Sequence, residues 1–212
     1  MNGSKRKVRI AVQNNGRLME PSLNFLKTLG LKFRKNSRKL IVPCKNAEVE
    51  FLYVRNGDIP EYVSQNVADF GIVGRNVLIE RRSNLKIEKS LGFGRCSLII
   101  AVPKGSPIKN INDLNDERIA TSYPRTLRNF LSDNRINASI VDIRGSVEIA
   151  PSLNLADAIC DITQTGDSLR QNGLKVIASI FDSEAVIVRS FSVSGLKWED
   201  FENYLKKSNS LL

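Results

Sequence analysis

Leu155-Ala-Asp-Ala-Ile-Cys-Asp-Ile-Thr-Gln-Thr-Gly-Asp-Ser-Leu169 is the stretch on which the fold turns. Ala158, Ile159, Cys160 and Ile162 make an apolar run short enough for a buried strand, and Asp157 and Asp161 flank it. The run opens into Thr163-Gln-Thr-Gly-Asp-Ser168, six small or polar residues, and then into a short segment that Gly173 closes. A loop of this kind leaves backbone N–H groups unpaired at a helix entrance, with hydroxyls beside them, and such a nest binds a phosphate monoester. Asp161, at the strand end, is placed to accept hydrogen bonds from a sugar's hydroxyls. An acid followed by a small hydroxyl-rich loop suits a ribose 5-phosphate. Thr, Gly, Asp and Ser also fill ordinary turns between strand and helix, and spacing alone leaves both readings open.

Working outward, residues 7–13 read as a first strand, 14–17 as a loop, and 21–29 as a helix ended by Gly30. Residues 48–55 alternate as a strand. Asp58 is a plausible N-cap, with Pro60 in the first turn of the next helix. Residues 68–73 form a buried strand, and 97–103 are the most apolar strand of the chain. Further strands are expected at 118–121, 138–143, 158–162 and 184–189, with helices running through Phe130 and over 198–205. Strands alternating with helices indicate an α/β fold with mainly parallel sheet. The strong strands near 97–103 and 184–189 bracket a self-contained block. The expected division is a first lobe of residues 1–95 plus 184–212 and an inserted second lobe of residues 96–183.

A chain of 212 residues can bury a full core, and its 42% hydrophobic and 25% charged content is ordinary for a soluble protein. No apolar run approaches the roughly 20 residues that span a bilayer, and the basic start lacks a signal-peptide core, so a cytosolic location is expected. Cys44, Cys96 and Cys160 are odd in number and widely spaced, and read as reduced thiols. The formal charge of +10 is concentrated early: residues 1–50 hold 12 Lys and Arg against 3 acids. Such a lobe binds nucleic acid or gathers small polyanions such as nucleotides and diphosphates. With only Phe25 and Phe33 among its aromatic residues before position 50, it offers no stacking platform, which favours small polyanions. There is no histidine, so any chemistry must run on carboxylates, positioned cations and backbone N–H groups.

Seven blocks in order resemble the catalytic core of the ATP phosphoribosyltransferase family, over roughly residues 7–190. They are Gln13-Asn-Asn-Gly-Arg-Leu18, Ser37-Arg-Lys-Leu40, Arg55-Asn-Gly-Asp-Ile-Pro60, Ala68-Asp-Phe-Gly-Ile-Val-Gly74, Arg118-Ile-Ala-Thr-Ser-Tyr-Pro124, Gly145-Ser-Val-Glu-Ile-Ala-Pro151 and the strand–loop segment above. The resemblance implies a two-lobed α/β fold like type II periplasmic binding proteins, with the active site in the cleft. It also implies the first step of histidine biosynthesis: N1 of ATP displaces pyrophosphate from phosphoribosyl pyrophosphate, with magnesium on the diphosphate. A ring nitrogen with a free lone pair needs no base, so a chain without histidine loses nothing essential. By the resemblance, Asp161 and Thr163, Gln164, Thr165, Gly166, Asp167 and Ser168 hold the phosphoribosyl group, and Arg38 and Arg55 serve the diphosphate and triphosphate. Arg17, Asp69, Tyr123 and Glu148 match the nucleotide side. The bland alternatives are a solvated charge run for Arg38, and turn caps for Asp69 and Glu148.

The chain departs from the family pattern at Asn14, where a basic residue is usual, at Arg75, where an acid is common, and at Asn154, where glycine is usual. Asp167 adds an acid beside the phosphate loop, and Ser168 stands for threonine. The sequence stops after a closing helix, which reads as a short form, a truncated long form or a reduced relative. The resemblance implies a homodimeric core insensitive to histidine, and a possible regulatory subunit resembling histidyl-tRNA synthetase. The competing function is a non-catalytic nucleotide- or phosphosugar-binding relative.

Overall fold

The apolar period switches repeatedly between two and about 3.6 residues along the chain, so strands and helices alternate. The computed structural model describes residues 7–35, 39–191 and 197–209. In chain order the first elements are strand β1 (Val8–Gln13), helix α1 (Met19–Thr28), strands β2 (Ile41–Pro43) and β3 (Val49–Val54), helix α2 (Ile59–Ser64), strand β4 (Phe70–Gly74), helix α3 (Arg75–Arg81) and strand β5 (Lys86–Ser90). Then come strands β6 (Cys96–Pro103) and β7 (Arg118–Thr121), helix α4 (Pro124–Asp133), and strands β8 (Ser139–Asp142) and β9 (Ala158–Thr163). Helix α5 (Asp167–Gln171), strands β10 (Leu174–Ser183) and β11 (Ala185–Arg189) and helix α6 (Trp198–Asn209) complete the order. The chain divides into two compact units, Met1–Gly94 with Glu184–Leu212, and Arg95–Ser183.

The first unit is built on a six-stranded sheet of order β2-β3-β1-β4-β11-β5. Successive residues of a strand face opposite sides, and the sheet uses both. Ile10, Val12, Phe51, Phe70 and Ile187 pack with Leu23 and Leu26 of α1 and with Trp198, Phe201 and Leu205 of α6. Ala11, Leu52, Val73 and Val186 pack with Ile59 and Val63 of α2 and with Val77 and Leu78 of α3. Trp198 meets Phe70 edge-on, with ring centroids 5.1 Å apart, a favourable aromatic geometry. Tyr204, on the same helix, is 60% exposed.

The second unit carries a five-stranded sheet of order β10-β6-β9-β7-β8. Helix α4 covers one face through Leu127 and Leu131, against Leu98, Ile100, Ile119 and Cys160. The other face, with Ile99, Ala101, Ala120 and Ile159, is closed by Val147, Ala150, Leu169 and Leu174.

The sheets are mixed, which corrects the expectation of mainly parallel pairing. Among the described residues β1 runs parallel to β3 and β4, and β7 to β8 and β9, whereas the other five pairings are antiparallel. The reason lies in the chain path. Strand β5 leads out of the first unit and β11 leads back, while β6 enters the second unit and β10 leaves it, so each couple runs in opposite directions. Strand β10 had no clear signature because register shifts at Val176/Ala178 and Ser179/Phe181 break its alternation. Cys44, Cys96 and Cys160 are free and buried. Among the described residues no helix is long and apolar enough to cross a membrane.

Candidate functional site

Parallel strands hand over to loops at their carboxyl ends, and there an α/β sheet leaves room for a ligand. In the second unit these are the ends of β7 and β9. Thr121 Oγ1 donates to Cys160 O at 2.6 Å and accepts the Tyr123 N–H at 2.8 Å, which pins the turn after β7. Ser122 is thereby held against β9, and its Oγ donates to Asp161 Oδ1 at 3.3 Å. Ser122 was missed in the sequence, although it follows an expected strand and precedes the helix-starting Tyr123-Pro124.

Past β9, the Gly166 N–H donates to Thr163 Oγ1 at 3.0 Å. Gly166 has φ of +75°, a conformation glycine enters at no steric cost, and the chain turns directly into α5. The first intrahelical bond is Arg170 N–H to Gly166 O at 3.0 Å, so the N–H groups of Asp167, Ser168 and Leu169 have no acceptor within the helix. Thr165 Oγ1 donates to Asp167 Oδ2 at 2.6 Å, and Arg170 Nη1 to Thr165 O at 3.1 Å. Arg170 also pairs with the Asp167 carboxylate, and Thr165 and Arg170 together hold that carboxyl below its usual range. Ser168 Oγ donates to Glu148 Oε1 at 3.4 Å, and Gln164 Nε2 to Arg95 O at 3.3 Å. Glu148 therefore joins the loop. The Tyr123 side chain packs in the core under α4.

Asp157, just before β9, and Asp161, in the second half of that strand, have opposite fates. At its amino end, Arg118 grips Asp157 with Nε at 3.0 Å and Nη2 at 2.9 Å, while Nη1 holds Asn154 O at 2.9 Å. Those bonds keep the Asp157 carboxyl below its usual range, and it is a structural clamp. Asn154 takes φ of +56°, the left-handed turn that asparagine tolerates. At the carboxyl end, burial pushes Asp161 up to about 6, and the negative charge of Glu148 adds to the rise. The Ile162 N–H at 2.8 Å and the Ser122 hydroxyl oppose it only in part. Asp161 is thus a carboxyl poised near neutrality beside the Ser122 hydroxyl.

In the first unit the corresponding edge is the carboxyl end of β1, β3 and β4. Arg55 leaves β3 there and is exposed. The Asn14 N–H donates to Val54 O at 2.8 Å, so the two strand ends stay joined. Arg17 is engaged by its own unit: Nη1 donates to Gly94 O, and Nη2 to Asn76 Oδ1 at 3.4 Å. Asp69 is set apart from this edge. It precedes β4, about 15 Å along the strand from Gly74, and its Oδ2 accepts the Arg9 N–H at 2.8 Å. That is a cap on the start of β1, and it argues against a place beside Arg17 and Arg55. Arg38 lies outside the described residues.

A family model described as HisG, ATP phosphoribosyltransferase, matches residues 55–207. The ATP phosphoribosyltransferase of Cytophaga hutchinsonii is 45% identical over 190 residues, covering 90% of this chain and 66% of its own length. That of Bacteroides thetaiotaomicron is 41% identical, covering 96% and 72%. The chain thus spans about two thirds of the length of these relatives. Among solved structures, the ATP phosphoribosyl transferase (HisG:HisZ) complex from Thermotoga maritima aligns with a TM-score of 0.80 at 29% identity, covering 96% of this chain and 98% of that one. A substrate-binding protein of an amino-acid ABC transporter, at 10% identity and a TM-score of 0.59 over 96% and 91% of the two chains, shares the fold alone. The fold is that of the periplasmic-binding-protein type, and the chain belongs to the ATP phosphoribosyltransferase family.

Proposed function

We propose that this protein transfers the phosphoribosyl group of phosphoribosyl pyrophosphate to N1 of ATP, releasing pyrophosphate, in the first step of histidine biosynthesis. The observation that carries the proposal is the carboxyl end of β9 in a chain of this family. There a half-buried Asp161 beside the Ser122 hydroxyl leads into a loop whose helix begins with N–H groups that have no acceptor within the helix. In this reading Asp161 accepts from the ribose hydroxyls, and the Thr163–Ser168 loop holds the 5′-phosphate. Glu148 lies beside that loop and is assigned to the nucleotide, whereas the core packing of Tyr123 argues against a nucleotide contact by its side chain. Arg55, with Arg38, neutralises the departing diphosphate, and Arg17 shapes the nucleotide side.

The adenine nitrogen attacks with its own lone pair, so what the chain must supply is alignment and charge stabilisation. Magnesium, when bound through the diphosphate oxygens, would neutralise charge on the leaving group. Among the described residues no three His, Cys, Asp or Glu side chains cluster as a metal site.

The cytosol is the expected compartment. The Thermotoga maritima structure is of a complex of two proteins, which supports a separate regulatory subunit; its likeness to histidyl-tRNA synthetase and the homodimeric core are expectations from the family resemblance. Sedimentation of the purified chain tests the dimer. The decisive assay is incubation with ATP, magnesium and phosphoribosyl pyrophosphate, with phosphoribosyl-ATP and pyrophosphate measured together. Tight binding of both substrates without either product would refute the transferase reading in favour of a non-catalytic relative.

A further inference from the structure

Residues 31–35 bring a second cation to the edge where Arg55 stands. Lys35 Nζ donates to Asn14 O at 2.6 Å and lies beside Met19 Sδ. It stands 5.7 Å from the centroid of the Tyr53 ring. Because Asn14 is bonded to Val54 O, this ammonium occupies the strand end next to the one from which Arg55 emerges. Lys35 is half-buried, and among the described residues no carboxylate pairs with it. The Glu20 carboxylate acts on Tyr53 from nearby, but it makes no direct ion pair with Lys35, and a half-buried cation without one gains when an anion arrives.

The donors at this spot are in excess as well. An ammonium has three N–H donors; here one goes to a carbonyl and one points at a thioether, which is a weak acceptor. Tyr53 below is 1% exposed, and its hydroxyl has no hydrogen-bond partner among the described residues. Burial, with the negative charge of Glu20 adding to it, raises its pKa to about 12, so it remains protonated. A tether between two backbone segments needs one such bond. A half-buried cation with spare donor capacity, one strand away from an exposed arginine, fits a polyanion.

We infer that Lys35 is a substrate-binding residue that grips the diphosphate of phosphoribosyl pyrophosphate beside Arg55. This rests on the transferase reading above. It adds Lys35 to the strand-end residues of the first unit that are assigned to the diphosphate.

The test is steady-state kinetics on the full chain, with calorimetric titration of magnesium phosphoribosyl pyrophosphate and a thermal melt. Lys35→Met removes the charge at similar length. It should raise KM for phosphoribosyl pyrophosphate by about tenfold, as expected for losing one charge-assisted hydrogen bond, with kcat and KM for ATP within about threefold and Tm unchanged. Lys35→Arg should recover most of the affinity. Lys35→Gln, which keeps a donor for Asn14 O, should show the same KM rise and serves if the Met variant does not fold. An unchanged KM for phosphoribosyl pyrophosphate, with or without a lowered Tm, overturns the inference and leaves Lys35 a tether. A KM rise confined to ATP overturns the diphosphate assignment. A wild-type chain that neither turns over nor binds phosphoribosyl pyrophosphate refutes the transferase reading itself.

Discussion

Replacing Asp161 by asparagine should make the protein more stable at alkaline pH while removing its grip on the sugar. Burial places this carboxyl at about 6 in the fold against an ordinary value of 3.8. That difference corresponds to about 3 kcal/mol for ionising the group inside the fold. The unfolded chain gives up its proton first, so between about pH 4 and pH 6 the folded chain holds more protons and stability falls as pH rises. Above that window the penalty is fully present; below it the penalty is absent. An asparagine carries no such cost. Its amide leaves N–H donors to be satisfied in the same pocket, and its carbonyl accepts less strongly from Ser122 and the Ile162 N–H. A net gain of about 1.5 kcal/mol at pH 8 is therefore expected, turning into a loss of about 1 kcal/mol at pH 4, where the wild-type penalty has almost vanished and only the weaker hydrogen bonding of the amide remains. At about 2–4 °C per kcal/mol for a chain of this size, the melt should rise by about 3–6 °C at pH 8. Thermal melts of both proteins at the two pH values read this directly. An offset that is equal at both, or a loss of stability at pH 8, would refute the claim that burial sets this pKa. Undiminished binding of phosphoribosyl pyrophosphate would refute the role assigned to the carboxylate.

The same group should govern the pH dependence of wild-type catalysis: kcat/KM for phosphoribosyl pyrophosphate should climb as pH rises through about 6, and a flat profile from pH 5 to 8 would exclude Asp161 as the acceptor. Arg55 is exposed, so Arg55→Ala should fold normally and lower kcat far more than it raises KM, with Arg55→Lys restoring part of the loss; a purely KM effect would move Arg55 to ground-state binding. The Thr165 and Ser168 hydroxyls already donate to Asp167 and Glu148. Substrate phosphate exchanges one acceptor for another, and the double alanine variant should lose only about 1–2 kcal/mol of affinity in a calorimetric titration. Gly94→Ala should destabilise the first unit by about 2 kcal/mol or more, because φ is +62° and an added Cβ would lie 2.1 Å from Leu18 Cδ2; chemical denaturation with an unchanged midpoint would contradict this.

Local signals made much of the fold legible. The apolar run before Asp161, the small polar loop after it and the glycine that turns into α5 are properties of a dozen consecutive residues. Burial patterning and turn chemistry act at that range. Pro60 in the first turn of α2 and the alternation in β3 were readable for the same reason, as was the βα character of the chain. Strand β10 was not, since two bulges break its period; the direction of β11 was not, since it depends on where the chain returns from the second unit.

The chemistry of individual carboxylates lay wholly in the tertiary structure. Asp157 and Asp161 look alike in sequence, four residues apart, yet Arg118 depresses the first and burial raises the second. Asp69 and Arg55 both border strands, yet parallel pairing puts them at opposite edges of the sheet. Ser122 reaches Asp161 across 39 positions, and Lys35 reaches Asn14 across 21. A sequence pattern reports which residues are buried and where the chain turns. Which charges meet, and at what cost in lost hydration, is settled only when distant segments are brought within hydrogen-bonding distance of one another.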